Sequence, residues 1–117
     1  MLFDSIGRES GNYLTYLSRR QEVIAANIAN ADTPGYRTMD IAPPAIFSSI
    51  YLEAAGQPGP WLEEAPGLPA RNDGNNVSMD REARLLSETS LKFNLATQML
   101  RAELKNIRSA IEEGRSA

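Results

Sequence analysis

Acid–base, nucleophilic or metal chemistry needs particular side chains at workable spacing, and this sequence has few of them. It contains no histidine and no cysteine, so the usual proton carrier near neutral pH, the thiol nucleophile and the thiolate metal ligand are all missing. The carboxylates that remain for acid–base work are Asp32, Asp40 and Asp73. They stand among turn-forming residues, where a carboxylate more often bonds the backbone than a substrate, and no nucleophile or second ligand accompanies them. The reading is that of a non-enzyme, with no cofactor, metal or small-molecule substrate expected. What the turns do then depends on the elements on either side of them.

The 117 residues suffice for one small domain, with an ordinary 42% of apolar residues. No apolar run of about 18 residues, the length needed to cross a membrane, is present. The first residues lack a basic stretch followed by an apolar core, so no cleavable secretory signal is expected. The formal charge of −3 is spread unevenly. Residues 1–37 are balanced, residues 38–79 set Arg71 alone against Asp40, Glu53, Glu63, Glu64 and Asp73, and residues 80–117 are slightly basic. No segment forms the basic stripe that a phosphate backbone demands, so nucleic acid is not expected as a partner.

Apolar residues mark two helices. Leu14, Leu17, Ile24 and Ile28 recur in steps that follow a helical seam, interrupted by the polar Gln21, and predict a helix over residues 9–31, roughly 35 Å long. Gly7 and Gly11 predict a frayed tip before it. A second stripe, Leu86, Thr89, Phe93, Ala96, Leu100, Leu104, Ile107 and Ile111, predicts a helix over residues 79–113, roughly 50 Å long. Ser78 is its expected N-cap and Gly114 its expected stop. Arg84, Glu88 and Lys92 form a ladder on its wet side, and Leu91, Leu95 and Met99 add a second apolar line. Every proline except Pro34 falls between residues 43 and 69, predicting an extended arm over residues 38–78 with one apolar run at residues 45–52 and a candidate anchor at Trp61. The fold class expected is therefore mainly α: two long terminal helices packed like a coiled-coil pair and joined by a Pro/Gly-rich segment. The longer helix carries more apolar surface than the shorter can cover, which predicts that folding is completed in an assembly.

Two turns punctuate this plan. Pro34 ends any helix arriving from upstream, and Pro34-Gly35 suits the centre of a type II turn, with Asn27, Asn30 and Asp32 available to bond the helix end. Asp73-Gly74 is a second turn signal, followed by Asn75 and Asn76. The string Asn27-Ile28-Ala29-Asn30-Ala31-Asp32-Thr33-Pro34-Gly35-Tyr36 resembles the N-terminal signature of the flagellar axial proteins. Asp73-Gly74-Asn75-Asn76-Val77, Met79-Asp80-Arg81-Glu82, the Phe93 segment and residues 107–115 are similar to the proximal rod proteins of the bacterial flagellar basal body, the FlgB type. Ala83 departs from that pattern, where a methionine is expected.

This resemblance implies a structural subunit of the proximal rod, exported through the flagellar type III secretion channel without signal cleavage. It implies a helical tube with the terminal helices on its inner wall, on the periplasmic side of the inner membrane. The implied neighbours are other copies of the chain, other proximal rod subunits, the adaptor between rod and MS ring, the MS ring itself and the export apparatus. The alternative is a helical adaptor or secretion chaperone that binds a partner without polymerising. Three stretches divide the expected domain: residues 1–37 with the first motif, the arm 38–78, and the helix 79–117.

Overall fold

The computed structural model describes residues 2–41 and 62–116. Two helices dominate: α1 spans Leu2–Ala29 and α2 spans Met79–Ser116. Between them lie two short strands, β1 at Met39–Ile41 and β2 at Leu62–Glu64, paired antiparallel with Met39 opposite Glu64 and Ile41 opposite Leu62. The architecture is mainly α and elongated, 71 Å along its longest axis.

The helices differ from the sequence reading at their ends. α1 begins at Leu2 and runs through Gly7 and Gly11, where a frayed tip was expected. α2 runs through Gly114 to Ser116 and does not stop there. A glycine costs a helix only about 1 kcal/mol relative to alanine, and flanking helix formers outweigh it. At its other end α1 stops at Ala29, two residues short of the expected end at residue 31. The Asn30 N–H reaches both the Ala26 and Asn27 carbonyls, at 3.1 and 3.2 Å, and the Ala31 N–H bonds Ile28 at 3.2 Å, so the last turn tightens before it breaks. Ser78 caps α2 as expected, accepting the Arg81 N–H at 3.3 Å, with Asp80 and Glu82 in the first turn.

The helices run antiparallel, since Asn27 meets Glu82 while Gln21, further back on α1, meets Ser90, further on along α2. Tyr16, Leu17 and Ile41 form the centre of the core, with Tyr13, Val23, Phe93 and Ala96 packed against it. Leu17 and Ile24 are each 1% exposed, and Leu14 and Ile28 are half-buried on the same face. Gln21, the polar interruption of the α1 seam, donates from Nε2 to the Ser90 hydroxyl at 3.1 Å and fixes the register of the pair.

On α2 the buried face keeps Thr89, Phe93, Ala96, Leu100 and Ile107 of the expected stripe and departs from it at Leu86, Leu104 and Ile111. Glu82, Leu85 and Thr89 are buried, and Phe93, Ala96, Leu100, Glu103 and Ile107 continue the face as half-buried positions. Leu86, assigned to the seam from sequence, is exposed. The two leucines at 85 and 86 are equally apolar. The choice falls to Leu85 because it follows Glu82 by three residues, and Glu82 is pulled inward by Asn27. Leu104 and Ile111 also stand open on this single chain, at 55% and 54%.

The arm is tied down at its root. Residues 38–41 lie over α1, with Ile41 in the core, and the Ala65 N–H extends the ladder to Thr38 O at 2.9 Å. The sequence predicts only an extended arm here, because three-residue strands carry too little pattern to read. The run at residues 45–52 and Trp61 lie outside the described residues.

Candidate functional site

The two turn motifs, forty residues apart in sequence, are docked into each other where α1 ends and α2 begins. The first is a turn from Thr33 to Tyr36, closed by the Tyr36 N–H on Thr33 O at 3.2 Å, with Pro34 and a left-handed Gly35 (φ 76°) at its centre. That is the type II geometry the Pro-Gly pair predicts. The second turn brings Gly74 (φ 84°) against it: the Gly35 N–H donates to Asp73 O at 2.8 Å, and a Cβ on Gly74 would stand 3.3 Å from the Gly35 Cα. Both positions therefore need a conformation that favours glycine, and Gly74 also needs the missing side chain.

Three asparagines fasten the turns. Asn75 is fully buried and donates from Nδ2 to two carbonyls of the first motif, Asn30 O and Thr33 O, both at 2.9 Å, while its Oδ1 accepts the Val77 N–H at 2.8 Å. Asn76 turns the other way. Its Oδ1 accepts the Thr38 N–H at 2.6 Å and the Thr38 hydroxyl at 2.9 Å, and its own N–H donates to Tyr36 O at 3.3 Å. The third, Asn27, sits at the meeting point with no exposed surface. Its Oδ1 accepts from the Met39 N–H and the Tyr36 hydroxyl, each at 3.1 Å; its Nδ2 donates to Met39 O at 2.8 Å and to Glu82 Oε2 at 3.1 Å. One amide thus uses all four of its bonds to join helix end, turn, strand and second helix. Asn30 donates to Ala26 O at 2.8 Å and its Oδ1 accepts the Thr33 hydroxyl at 3.1 Å, closing the helix end from outside. Arg71, which sequence reasoning passed over, rivets the same point by donating to Ala31 O and, at 2.9 Å, to Val77 O.

The three candidate carboxylates separate. Asp73 bonds backbone, as expected, accepting the Asn75 N–H at 3.0 Å. Asp32 is exposed and makes no hydrogen bond among the described residues, which corrects the expectation that it pairs with the helix end. The Asn75 amide takes the carbonyls Asn30 O and Thr33 O instead, leaving Asp32 to point outward. Asp40 lies in β1 and joins a chain of charges: Arg20 Nε at 3.4 Å, Arg81 at 3.2 Å, and from Arg81 to Glu82 at 2.6 Å. Glu82 is fully buried. A buried carboxylate is tolerated only with partners that hold its charge, and Arg81 and Asn27 are those partners. Its place could have been found from sequence, because residues 82, 85, 89, 93, 96 and 100 continue one helical stripe when a paired carboxylate is allowed on it.

Burial raises the pKa of Tyr36 above its ordinary value, and the neighbouring Glu82 charge pushes the same way. Burial likewise raises Tyr16, opposed by Arg20. Both hydroxyls are held in the neutral form, which for Tyr36 is the form that donates to Asn27. On the wet side of α2 the Lys92 ammonium bonds Glu88 at 2.8 Å and holds that carboxyl below its usual range. No group of three acidic residues among those described could hold a metal ion. No described helix is long and apolar enough to cross a membrane.

An antiparallel helix pair, clasped at one end by its own two turn motifs and left open along its longer helix, is the framework of a structural subunit. Comparison with known proteins gives the class a family. Residues 14–37 match the family model for flagella basal body rod proteins. The flagellar basal body rod protein FlgB of Salmonella typhimurium is 32% identical over 123 residues, covering 86% of this chain and 88% of the relative. FlgB of Escherichia coli is 30% identical over 122 residues, covering 86% and 88%. FlgB of Buchnera aphidicola is 33% identical over 112 residues, covering 80% and 84%. The chain belongs to the FlgB family of flagellar basal body rod proteins.

Proposed function

We propose that this chain works as a structural subunit of the proximal rod, without catalysis, and polymerises through α1 and α2 to link the MS ring and export gate to the rest of the rod. The observation that carries this reading is the clasp, in which a chain of the FlgB family uses the Asn27–Tyr36 and Asp73–Val77 motifs to lock its two helix ends together. Such a lock holds the two helices in a fixed relation, as a subunit lining a tube requires. The large apolar side chains left open on α2, Leu91, Leu95 and Met99, support packing against neighbours. Its neighbours are further copies, other proximal rod subunits, the adaptor at the MS ring, the ring itself and the export apparatus. The chain reaches the periplasmic side of the inner membrane by flagellar export, without a cleaved signal.

The test is deletion of the gene followed by complementation with a tagged chain. The reading expects lost swimming, its restoration, and the tagged chain in purified basal bodies. A chain that stays outside basal bodies as a compact dimer bound to an exported client would identify a secretion chaperone and overturn it.

A further inference from the structure

We propose that the free end of α2, residues 100–115, is the seat for a helix of a different protein, one that carries carboxylates at seven-residue spacing beside an apolar stripe. The proposal rests on the rod-subunit reading above and specifies one of its contacts.

Leu104, Ile107 and Ile111 form the floor of a shallow groove on α2, and Arg108, Arg115 and Glu112 stand on its rim. Leu104 and Ile111 are more than half exposed, an unusual state for large apolar side chains repeated along one helix face. On the rim beside them the two arginines outnumber the single carboxylate of Glu112. Arg101, Arg108 and Arg115 recur at intervals of seven, which brings all three to one side of the stripe. None of them forms an ion pair among the described residues, whereas Arg19, Arg20, Arg37, Arg81 and Lys92 all do. In helix pairs, the charged residues flanking the apolar seam choose the partner and its orientation. An arginine column of this kind is complementary to a column of Asp or Glu.

A second copy cannot supply that column. The acidic residues of α1 are Asp4, Glu9 and Glu22, and those of α2 are Asp80, Glu82, Glu88, Glu103, Glu112 and Glu113. No three of them recur at intervals of seven. Two copies paired antiparallel through this stripe would set arginine flank against arginine flank, which disfavours self-pairing. The geometry thus points outward, to an acidic helix on another chain.

The test has two arms. In the first, the full chain is mixed with two synthetic helical peptides sharing a leucine stripe, one with Glu at seven-residue spacing on its flank and one with Lys. The Glu peptide is expected to bind at least tenfold more tightly, to weaken as salt is raised, and to lose its advantage in the R101E/R108E/R115E variant. Equal binding of both peptides, binding of neither, or self-association in preference to the Glu peptide overturns the proposal. In the second arm the same variant is expressed in the deletion strain, with export measured alongside. It is expected to be exported and to fall at least tenfold in purified basal bodies. Normal incorporation of the variant would overturn the acidic-helix contact and leave the rod reading standing. Absence of the unsubstituted chain from basal bodies would instead sink the rod reading.

Discussion

At one end of the helix pair Asn27, Asn75, Thr38 and Glu82 are buried and bonded, while toward the other Leu104 and Ile111 stand open to solvent. The same chain hides polar groups in one place and exposes apolar ones in another. The difference follows from what each end needs. Where α1 stops and α2 starts, unpaired backbone groups collect, and asparagine side chains bond them at fixed geometry, with Glu82 held by Asn27 and Arg81. That end is specified within one chain. Along the outer part of α2 the apolar residues have no partner of comparable size among the described residues, and on the rod-subunit reading neighbours bury them. The clasped end supplies shape, and the open end, on the proposed reading, supplies adhesion.

The sharpest way to break this comparison is to make one kind of substitution at both ends. Ile24→Ala should destabilise the isolated chain by about 2–5 kcal/mol, because it opens a cavity at a fully buried site. Leu104→Ala should change stability by no more than about 0.5 kcal/mol in the same urea titration. Similar losses at the two sites would erase the distinction between the ends.

Within the clasp, Gly74→Ala and Gly35→Ala sharpen the account of how the turns meet. Both force a side chain into the left-handed region, at about 1–2 kcal/mol each. Only Gly74 adds a steric contact, 3.3 Å from the Gly35 Cα, so it should be the more damaging of the two. The opposite ranking in thermal melts would show that the turns do not touch in solution.

Tyr36→Phe should cost about 1 kcal/mol, the worth of its bond to Asn27. It also changes the response to alkali. The folded-state pKa of Tyr36 lies above the unfolded one, so its contribution is fully present below the unfolded pKa of about 10 and is lost as pH rises through the folded value. The original chain should therefore lose stability more steeply above about pH 10 than Tyr36→Phe does. The smallest effect is expected on the wet face, where Glu88→Gln should leave the thermal melt nearly unchanged, because an exposed ion pair is screened by solvent.

Most of the helical plan was legible in the sequence, because thirty-residue stretches repeat their apolar period many times. The turn motifs could be read too, since Pro34-Gly35 and Asp73-Gly74 restrict the backbone locally. Their docking could not. Nothing in either string says that the Asn75 amide will reach Asn30 and Thr33 across forty residues, and the three-residue strands that tie the arm's root are too short to carry a period. The choice of Leu85 over Leu86 was hidden for a related reason: it is set by Glu82, a carboxylate that local reasoning sends to solvent.

Hydrogen exchange of the full chain, measured free and in purified basal bodies, tests the two-ended account most directly. The account predicts slow amides in both states for the last three turns of α1, the residues 71–77 and the first turns of α2. Residues 100–116 should exchange fast in the free chain and slowly in the assembly. Uniformly slow exchange in the free chain, or fast exchange of residues 100–116 in both states, would contradict it.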